Sequence, residues 1–215
     1  MIGAHVKWFR EAGWGVMFHY LAGRPSIPND ANGVSAADWN ARVDAFNLDR
    51  FVSQVVSTGA RYVLFSIGQD SGHFCSPNAT YDELTGIRPS KCSRRDLILD
   101  IAHALEPHGV RLLAYVSCLP PHDEPAAIQA LKCTNTIENR HIPEKLSRCV
   151  EFQLMWNRIL AEWSVRWGRH VHGWWVDGFI YGRRCTTSRM SPTGRACDGR
   201  SQREIRMRSL PSAPE

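Results

Sequence analysis

The sequence has 215 residues, 43% of them hydrophobic and 22% charged, which is ordinary for a globular protein. This length can bury a core as one domain or form part of a larger one. Residues 182–215 hold eight Arg and three acidic residues, so the formal net charge of +5 belongs to this segment and residues 1–181 are neutral. A neutral body excludes a nucleic-acid partner that binds through charge over the whole chain.

No apolar run reaches the roughly 20 residues of a membrane helix, and the first residues lack the apolar core of a secretory signal. We therefore expect a soluble protein without a membrane partner. It would be cytoplasmic as the chain is written, or secreted if the true start lies upstream. Nothing in the sequence indicates an oligomeric state.

The seven cysteines show no zinc-site spacing, and we expect neither a metal nor a cofactor. Cys75 and Cys92 bracket one loop and Cys133 and Cys149 another, so each pair could form a disulfide in an oxidising compartment. Free thiols are the favoured interpretation. Because seven is odd, at least one thiol has no partner within the chain.

Helical and extended patterns alternate along residues 1–181. Apolar runs predict four strands, at Gly15–Tyr20, Tyr62–Ile67, Arg111–Val116 and Trp174–Asp177. Apolar residues at helical spacing predict helices at Lys7–Ala12, Leu48–Thr58, Pro125–Lys132 and Ser147–Trp167. A further helix should be opened by a capping box of Ser93 and Asp96 and closed by Gly109. The segments Leu21–Asn32 and Phe74–Cys92 read as loops.

This alternation implies an α/β fold with a parallel sheet, either a doubly wound open sheet or a (β/α)8 barrel. No glycine-rich nucleotide-binding loop follows any strand, which disfavours the nucleotide-binding form of the open sheet. The strands end in large polar or aromatic side chains, as barrel enzymes place their sites. Since a barrel needs about 250 residues, we predict that residues 1–181 are the N-terminal part of a TIM-like (β/α)8 barrel.

Residues 182–215 have no apolar stripe and are rich in Arg, Ser and Pro, which predicts a disordered basic tail. The tail could be an arm that binds nucleic acid or a membrane, or the product of a shifted reading frame. The second interpretation is favoured because the strand–helix pattern breaks off in mid-architecture.

Five segments, in this order and spacing, resemble family 29 of the glycoside hydrolases, the α-L-fucosidases. They are Trp8–His19, Phe46–Phe51, Gly59–Val63, Tyr115–Ser117 and Trp174–Gly178. The resemblance implies a retaining exo-glycosidase in which Asp177 is the nucleophile, His19 holds a sugar hydroxyl and Tyr115 lines the sugar pocket. At the end of the second strand the family usually has two adjacent His, whereas this chain has Gly68-Gln69 before Asp70.

The candidate site therefore contains Asp177 as the catalytic residue and a set of carbohydrate-binding residues, namely His19, Tyr20, Gln69, Asp70, Tyr115 and Trp175. Retaining hydrolysis needs a second carboxyl group about 5–5.5 Å from the nucleophile. Asp70 is a candidate for this group, but in the family the acid/base follows the nucleophile strand, which here leads into the Arg-rich tail. We thus expect a glycoside hydrolase that is truncated and inactive as written. The alternative is a non-catalytic carbohydrate-binding pseudoenzyme domain.

Overall fold

The computed structural model describes residues 4–23, 33–134 and 149–178. Within these ranges the chain forms a four-stranded parallel sheet in the order β1-β2-β3-β4. The strands are β1 (Val16–Phe18), β2 (Tyr62–Ser66), β3 (Arg111–Ser117) and β4 (Val171–Asp177). The predicted α/β fold with a parallel sheet is confirmed. The predicted tail, residues 182–215, lies outside the described residues.

One helix precedes β1, and the other helices lie in the connections between successive strands. The helices are α1 (Ala4–Glu11), α2 (Ala36–Asp44), α3 (Leu48–Thr58), α4 (Ala79–Thr85), α5 (Leu97–Leu105), α6 (Pro125–Ala130) and α7 (Val150–Trp167). Short 3-10 turns follow α5 at Glu106–His108 and α7 at Gly168–His170. In the described part of the chain, no helix has both the length and the apolar character needed to cross a membrane.

The sequence analysis did not predict two of the helices, α2 and α4. Both are short, and each is begun by a side chain that accepts a hydrogen bond from the first turn: Ser35 from the Asp38 N–H and Asn78 from the Tyr81 N–H. Each also buries an aromatic residue completely, Trp39 in α2 and Tyr81 in α4. One large anchor in fewer than ten residues gives too little periodicity to separate a helix from a loop.

The predicted capping box at Ser93 is wrong. The helix α5 begins at Leu97, and Asp96 is its N-cap, accepting a hydrogen bond from the Leu99 N–H at 3.1 Å. The Ser93 hydroxyl donates instead to the carbonyl of Arg95 at 2.6 Å. Serine and aspartate cap helices about equally well, so composition alone did not decide between two candidates three residues apart.

The strand β4 contains one extra residue where it joins β3. Leu112 pairs with Val171 and Leu113 pairs with Gly173, so no residue of β3 pairs with His172. Pairing then continues without interruption to Ser117 and Asp177. The strand β4 begins at Val171, three residues before its predicted start at Trp174. A one-residue bulge reverses the face to which all later side chains point.

The sheet has two different apolar faces. The outer face carries Val63, Phe65, Ala114 and Val116 and packs under the helices as the large core. The opposite face carries a small cluster that corresponds to the interior of a barrel, made by Trp8, Phe9, Tyr62, Leu64, Leu113, Tyr115 and Trp175. The guanidinium of Arg111 lies 4.5 Å from the Trp8 ring, so α1 covers the amino-terminal end of this inner face.

The start of α4 is fastened to α7 by buried polar groups. Asn78 is 1% exposed, and its amide donates to the carbonyl of Ile159 at 3.0 Å while its oxygen caps α4. The Trp163 indole donates to the carbonyl of Pro77 at 3.0 Å. These bonds fix the long connection after β2 against the helix that precedes β4.

The same connection contains a buried histidine, His73, which is 3% exposed. Its ring lies 5.9 Å from that of Trp39, and its Nδ1 lies 3.3 Å from the Ser71 hydroxyl. Burial, reinforced by the positive charge of Lys91, lowers the pKa of His73 to about 4. The side chain is therefore neutral in the folded protein at neutral pH.

Replacing Asn78 should destabilise the protein more than replacing an exposed cap of the same type. Asn78→Ala removes both a cap and a buried bond to α7, and we expect the free energy of unfolding to fall by about 2–4 kcal/mol. The matched control is Asn47→Ala, at the exposed cap of α3, where about 1 kcal/mol is expected. Urea unfolding measures both; equal losses would contradict a structural role for the bond to Ile159.

Stability should also fall in acid because of His73. Its pKa is about 4 when folded and about 6.5 when unfolded, so the unfolded chain takes up a proton first as the pH drops. Between pH 6.5 and 4 this should remove about 3 kcal/mol from the free energy of unfolding. His73→Gln should flatten that part of the stability curve, whereas His108→Gln, in an exposed turn, should not. A curve unchanged by His73→Gln would refute this assignment.

Candidate active site at the carboxyl ends of the strands

Three of the predicted site residues meet on the inner face. The rings of His19 and Tyr115 are 5.0 Å apart and nearly perpendicular, and the Tyr115 hydroxyl donates to Oδ2 of Asp177 at 2.8 Å. These residues come from the ends of β1, β3 and β4. They meet because parallel strands present their carboxyl ends at one edge of the sheet.

The carboxylate of Asp177 is held at both oxygens. Oδ1 accepts a hydrogen bond from the Gly178 N–H at 2.7 Å, and Oδ2 accepts the bond from Tyr115. The Asp177 carbonyl accepts from the Cys118 N–H at 2.7 Å, which ties the strand end to the residue after β3. Gly178 has φ +94°, and a Cβ there would lie 3.1 Å from the Cys118 sulfur, so glycine is needed.

Tyr115 is suited to remain a hydrogen-bond donor. It is 3% exposed, and burial, followed by its bond to Asp177, raises the pKa of its hydroxyl well above the usual value. The hydroxyl therefore stays protonated over the whole physiological range. Asp177, by contrast, is exposed to solvent at the strand end and oriented by two donors. The arrangement presents a positioned carboxylate to whatever enters the inner face.

The tryptophan doublet is divided between the two faces. Trp175 pairs with Tyr115 in the register and packs in the inner cluster with Leu64 and Leu113. Trp174 points the other way, into the large core, where its ring lies 5.4 Å from that of Trp167. Only Trp175 can offer an apolar surface on the side of Asp177, as the sequence analysis proposed.

Gln69 and Asp70 lie in the connection that follows β2. Gln69 borders a narrow cleft beside the end of β3, lined also by Gly68, Phe74, Val116, Ser117, Leu119, Pro121 and Trp156. Asp70 is 7% exposed, and its carbonyl accepts a hydrogen bond from the Asp123 N–H at 2.8 Å. The structure thus places Gln69 at a cleft that shares no lining residue with the group of His19, Tyr115 and Asp177, and it buries Asp70 in the loop.

The structure does not bring Tyr20 to the group formed by His19, Tyr115 and Asp177. Its ring packs on the helix side, 5.4 Å from that of Trp39, and its hydroxyl donates to the carbonyl of Arg42 at 2.9 Å. Consecutive residues of an extended chain point to opposite faces, so His19 and Tyr20 could not both face inward.

Sequence reasoning missed Ser66, the last residue of β2. It is completely buried, and its hydroxyl oxygen accepts a hydrogen bond from the Tyr20 N–H at 2.7 Å. That bond fixes the backbone directly after His19. A signal was present, because Ser66 follows Tyr62 and Leu64 at the two-residue period of the inner face and is the polar member of an otherwise apolar strand.

No protein-family model matches this sequence, and no curated protein sequence matches it. Solved structures do. An α-L-fucosidase of family 29 from Bacteroides thetaiotaomicron, trapped as a covalent intermediate with 2-fluoro-fucosyl fluoride, matches with a TM-score of 0.51 and 17% identity over 83% of this chain and 42% of that one. A bacterial fucosidase with a monovalent iminocyclitol inhibitor matches with a TM-score of 0.50 and 16% sequence identity. This match covers 83% of this chain and 42% of that one.

The α-L-fucosidase AlfC from Lactobacillus casei, in complex with α-L-fucose, gives a TM-score of 0.50 and 16% identity, over 81% of this chain and 62% of that one. The chain thus spans less than two thirds of the length of each of these proteins. At such low identity the similarity concerns the fold. The described residues have the α/β fold of part of the barrel found in α-L-fucosidases, the glycoside hydrolases that the sequence motifs resemble.

Proposed function

We propose that this chain supplies the nucleophile side of a retaining exo-glycoside hydrolase related to the α-L-fucosidases, acting on a fucoside or a similar glycan. The observation that carries the proposal is the carboxylate of Asp177, held at both oxygens and turned to the inner face beside Tyr115 and His19. A carboxylate positioned in this way at the carboxyl end of a barrel strand is what covalent glycoside hydrolysis requires.

Each inner-face residue then has a role. Asp177 attacks the anomeric carbon of the sugar and forms a glycosyl ester, which water later hydrolyses. Tyr115 donates a hydrogen bond to Oδ2 and keeps the carboxylate in one orientation, with Oδ1 directed by the Gly178 N–H. His19 is exposed at the end of β1 and can bond a sugar hydroxyl, while Trp175 offers an apolar surface to the sugar ring.

The residues of the β2 connection act at the rim. Gln69 borders the cleft next to Ser117 and is the side chain in this loop that we assign to a sugar hydroxyl. Asp70 is too buried for such a contact and holds the loop instead. Hydrolysis also requires a second carboxyl group as acid and base.

A second function, carbohydrate binding without turnover, is favoured by one observation. Of the two strand-end aspartates proposed for the site, Asp177 is exposed, whereas Asp70 is 7% exposed. A buried Asp70 cannot share a glycosidic oxygen with Asp177. A protein that bound sugar through His19, Trp175 and Asp177 would still use the same inner face.

A fluorinated sugar separates the two functions. With 2-fluoro-fucosyl fluoride the leaving group departs as fluoride and needs no proton from an acid, so the nucleophile alone can form the ester. We expect the full chain to gain the mass of one 2-fluorofucosyl group on the peptide that contains Asp177. Intact-protein and peptide mass spectrometry would measure it.

Asp177→Ala should abolish this labelling, and Asp44→Asn, which removes an exposed carboxylate in α2, should leave it unchanged. Labelling on another residue would remove Asp177 as nucleophile. Fucose binding detected by calorimetry in the absence of any label would establish the binding function in place of hydrolysis. If the chain is not labelled and does not bind fucose, both functions are rejected.

Tyr115→Phe should slow the labelling by about 10- to 100-fold, because its hydroxyl holds the carboxylate in the orientation for attack and a displacement of about 1 Å costs about 100-fold in rate. The matched control is Tyr62→Phe, at the amino-terminal end of the same inner face, where we expect no change in rate. Rates of ester formation, followed by mass spectrometry against time, compare the two variants. Equal rates for both would contradict a role for the Tyr115 hydroxyl.

A further inference from the structure

Cys133 and Cys149 lie where the chain leaves α6 and where it enters α7, and their sulfur atoms are 3.8 Å apart. We propose that this pair is an oxidation site at which an intramolecular disulfide forms. A disulfide has an S–S distance of about 2.05 Å, so the two sulfur atoms must approach each other by about 1.8 Å to form the bond. The proposed function does not use this part of the fold.

The backbone around the pair supports this placement. Within the described residues, the non-glycine positions with positive φ are Lys132, at 55°, and Cys149, at 44°. Such conformations are strained for these residues and persist only where the surroundings impose them. Here the same junction is also bridged by an ion pair between Lys132 and Glu151. The backbone conformations at Lys132 and Cys149 and this ion pair all lie at the junction that brings the two cysteines together.

The other described pair suggested by sequence spacing, Cys75 and Cys92, has a different environment. Both are 5% exposed or less, and burial raises the pKa of each thiol. The Cys75 thiol donates to the carbonyl of Ser66 at 3.6 Å. Thiols kept protonated in a core react slowly, because the thiolate is the nucleophile. In the pair at the start of α7, by contrast, Cys149 is partly exposed and can react first, although Cys133 is as buried as Cys92.

The reaction is a thiol–disulfide exchange with a low-molecular-weight disulfide such as oxidised glutathione. The thiolate of Cys149 attacks one glutathione sulfur, which breaks the glutathione disulfide and releases one glutathione thiol. The thiolate of Cys133 then attacks Cys149 and releases the second glutathione thiol. Two protein thiols are oxidised and one glutathione disulfide is reduced to two thiols, so electrons and protons balance.

The bond would fix the start of α7, which borders the cleft beside β3. The indole of Trp156, two turns into this helix, donates to the carbonyl of Ser117 at 3.1 Å. Phe152 and Trp156 are buried and stack on each other between the junction and that bond. The disulfide would thus anchor the connection between β3 and β4 by closing the loop formed by residues 133–149.

The test equilibrates the full chain in oxidised and reduced glutathione, blocks remaining thiols by alkylation under denaturing conditions, and maps peptides without reduction. Trypsin should release residues 133–140 and 149–158 as one disulfide-linked species from the oxidised sample and as two alkylated peptides from the reduced sample. The oxidised protein should melt about 6–12 °C higher, as expected for closing a loop of this length.

Cys133→Ser and Cys149→Ser should each abolish the linked peptide and the difference in melting temperature. Cys118→Ser, which removes a partly exposed thiol at the end of β3, should retain both. Full alkylation of Cys133 and Cys149 in oxidising glutathione would overturn the proposal. So would a species in which Cys149 carries glutathione while Cys133 remains a thiol.

Discussion

The orientation of Asp177 depends on one extra residue in a strand. With His172 inserted, Tyr115 stands beside Trp175 and Ser117 beside Asp177, all on the inner face. If His172 paired with Leu113 and no bulge formed, the pairing from Leu113 onwards would shift by one residue, which in a sheet turns every later side chain to the opposite face. Trp175 and the carboxylate would then point into the helices. A single bulge therefore decides whether β4 carries a site, and bulges beside active sites commonly re-aim a side chain in this way.

The two faces of the sheet have different roles: one forms the large core and the other carries the candidate site. The outer face joins the helices in the large core that stabilises the domain. The inner face has an apolar floor, where Trp8 and Phe9 of α1 pack on Tyr62, and a polar rim, where His19, Tyr115 and Asp177 meet. The apolar residues of the floor limit the access of water to the buried side of Tyr115. A lower local dielectric strengthens the hydrogen bond that its hydroxyl donates to Asp177.

Much of this arrangement could be predicted from the sequence, because parallel strands with polar ends place those ends together. The apolar runs located all four strands, and the meeting of His19, Tyr115 and Asp177 follows from their positions at strand ends. The sequence could not reveal the bulge at His172, since Val-His-Gly-Trp-Trp is compatible with either register. Trp175 was named among the candidate sugar-binding residues, but the strand pattern alone did not favour it over Trp174 as the residue that faces inward.

Other failures have equally local causes. Tyr20 was grouped with His19, although neighbouring residues in an extended chain face opposite sides, and its ring packs against Trp39. Asp70 was chosen for its carboxylate, but burial in a loop cannot be read from composition. The helices α2 and α4 depend on one buried aromatic residue each, and their fixed position comes from tertiary contacts such as the bond from Asn78 to Ile159.

The contacts that orient the Asp177 carboxylate come from two short segments, at the end of β3 and directly after β4. Tyr115 and Cys118 belong to β3 and the residue after it, and Gly178 directly follows Asp177. Ser66 secures the backbone beside His19 in the same manner, from the neighbouring strand. The group formed by His19, Tyr115 and Asp177 is thus built by the ends of parallel strands alone, and its geometry is encoded wherever β1 to β4 pair in this register.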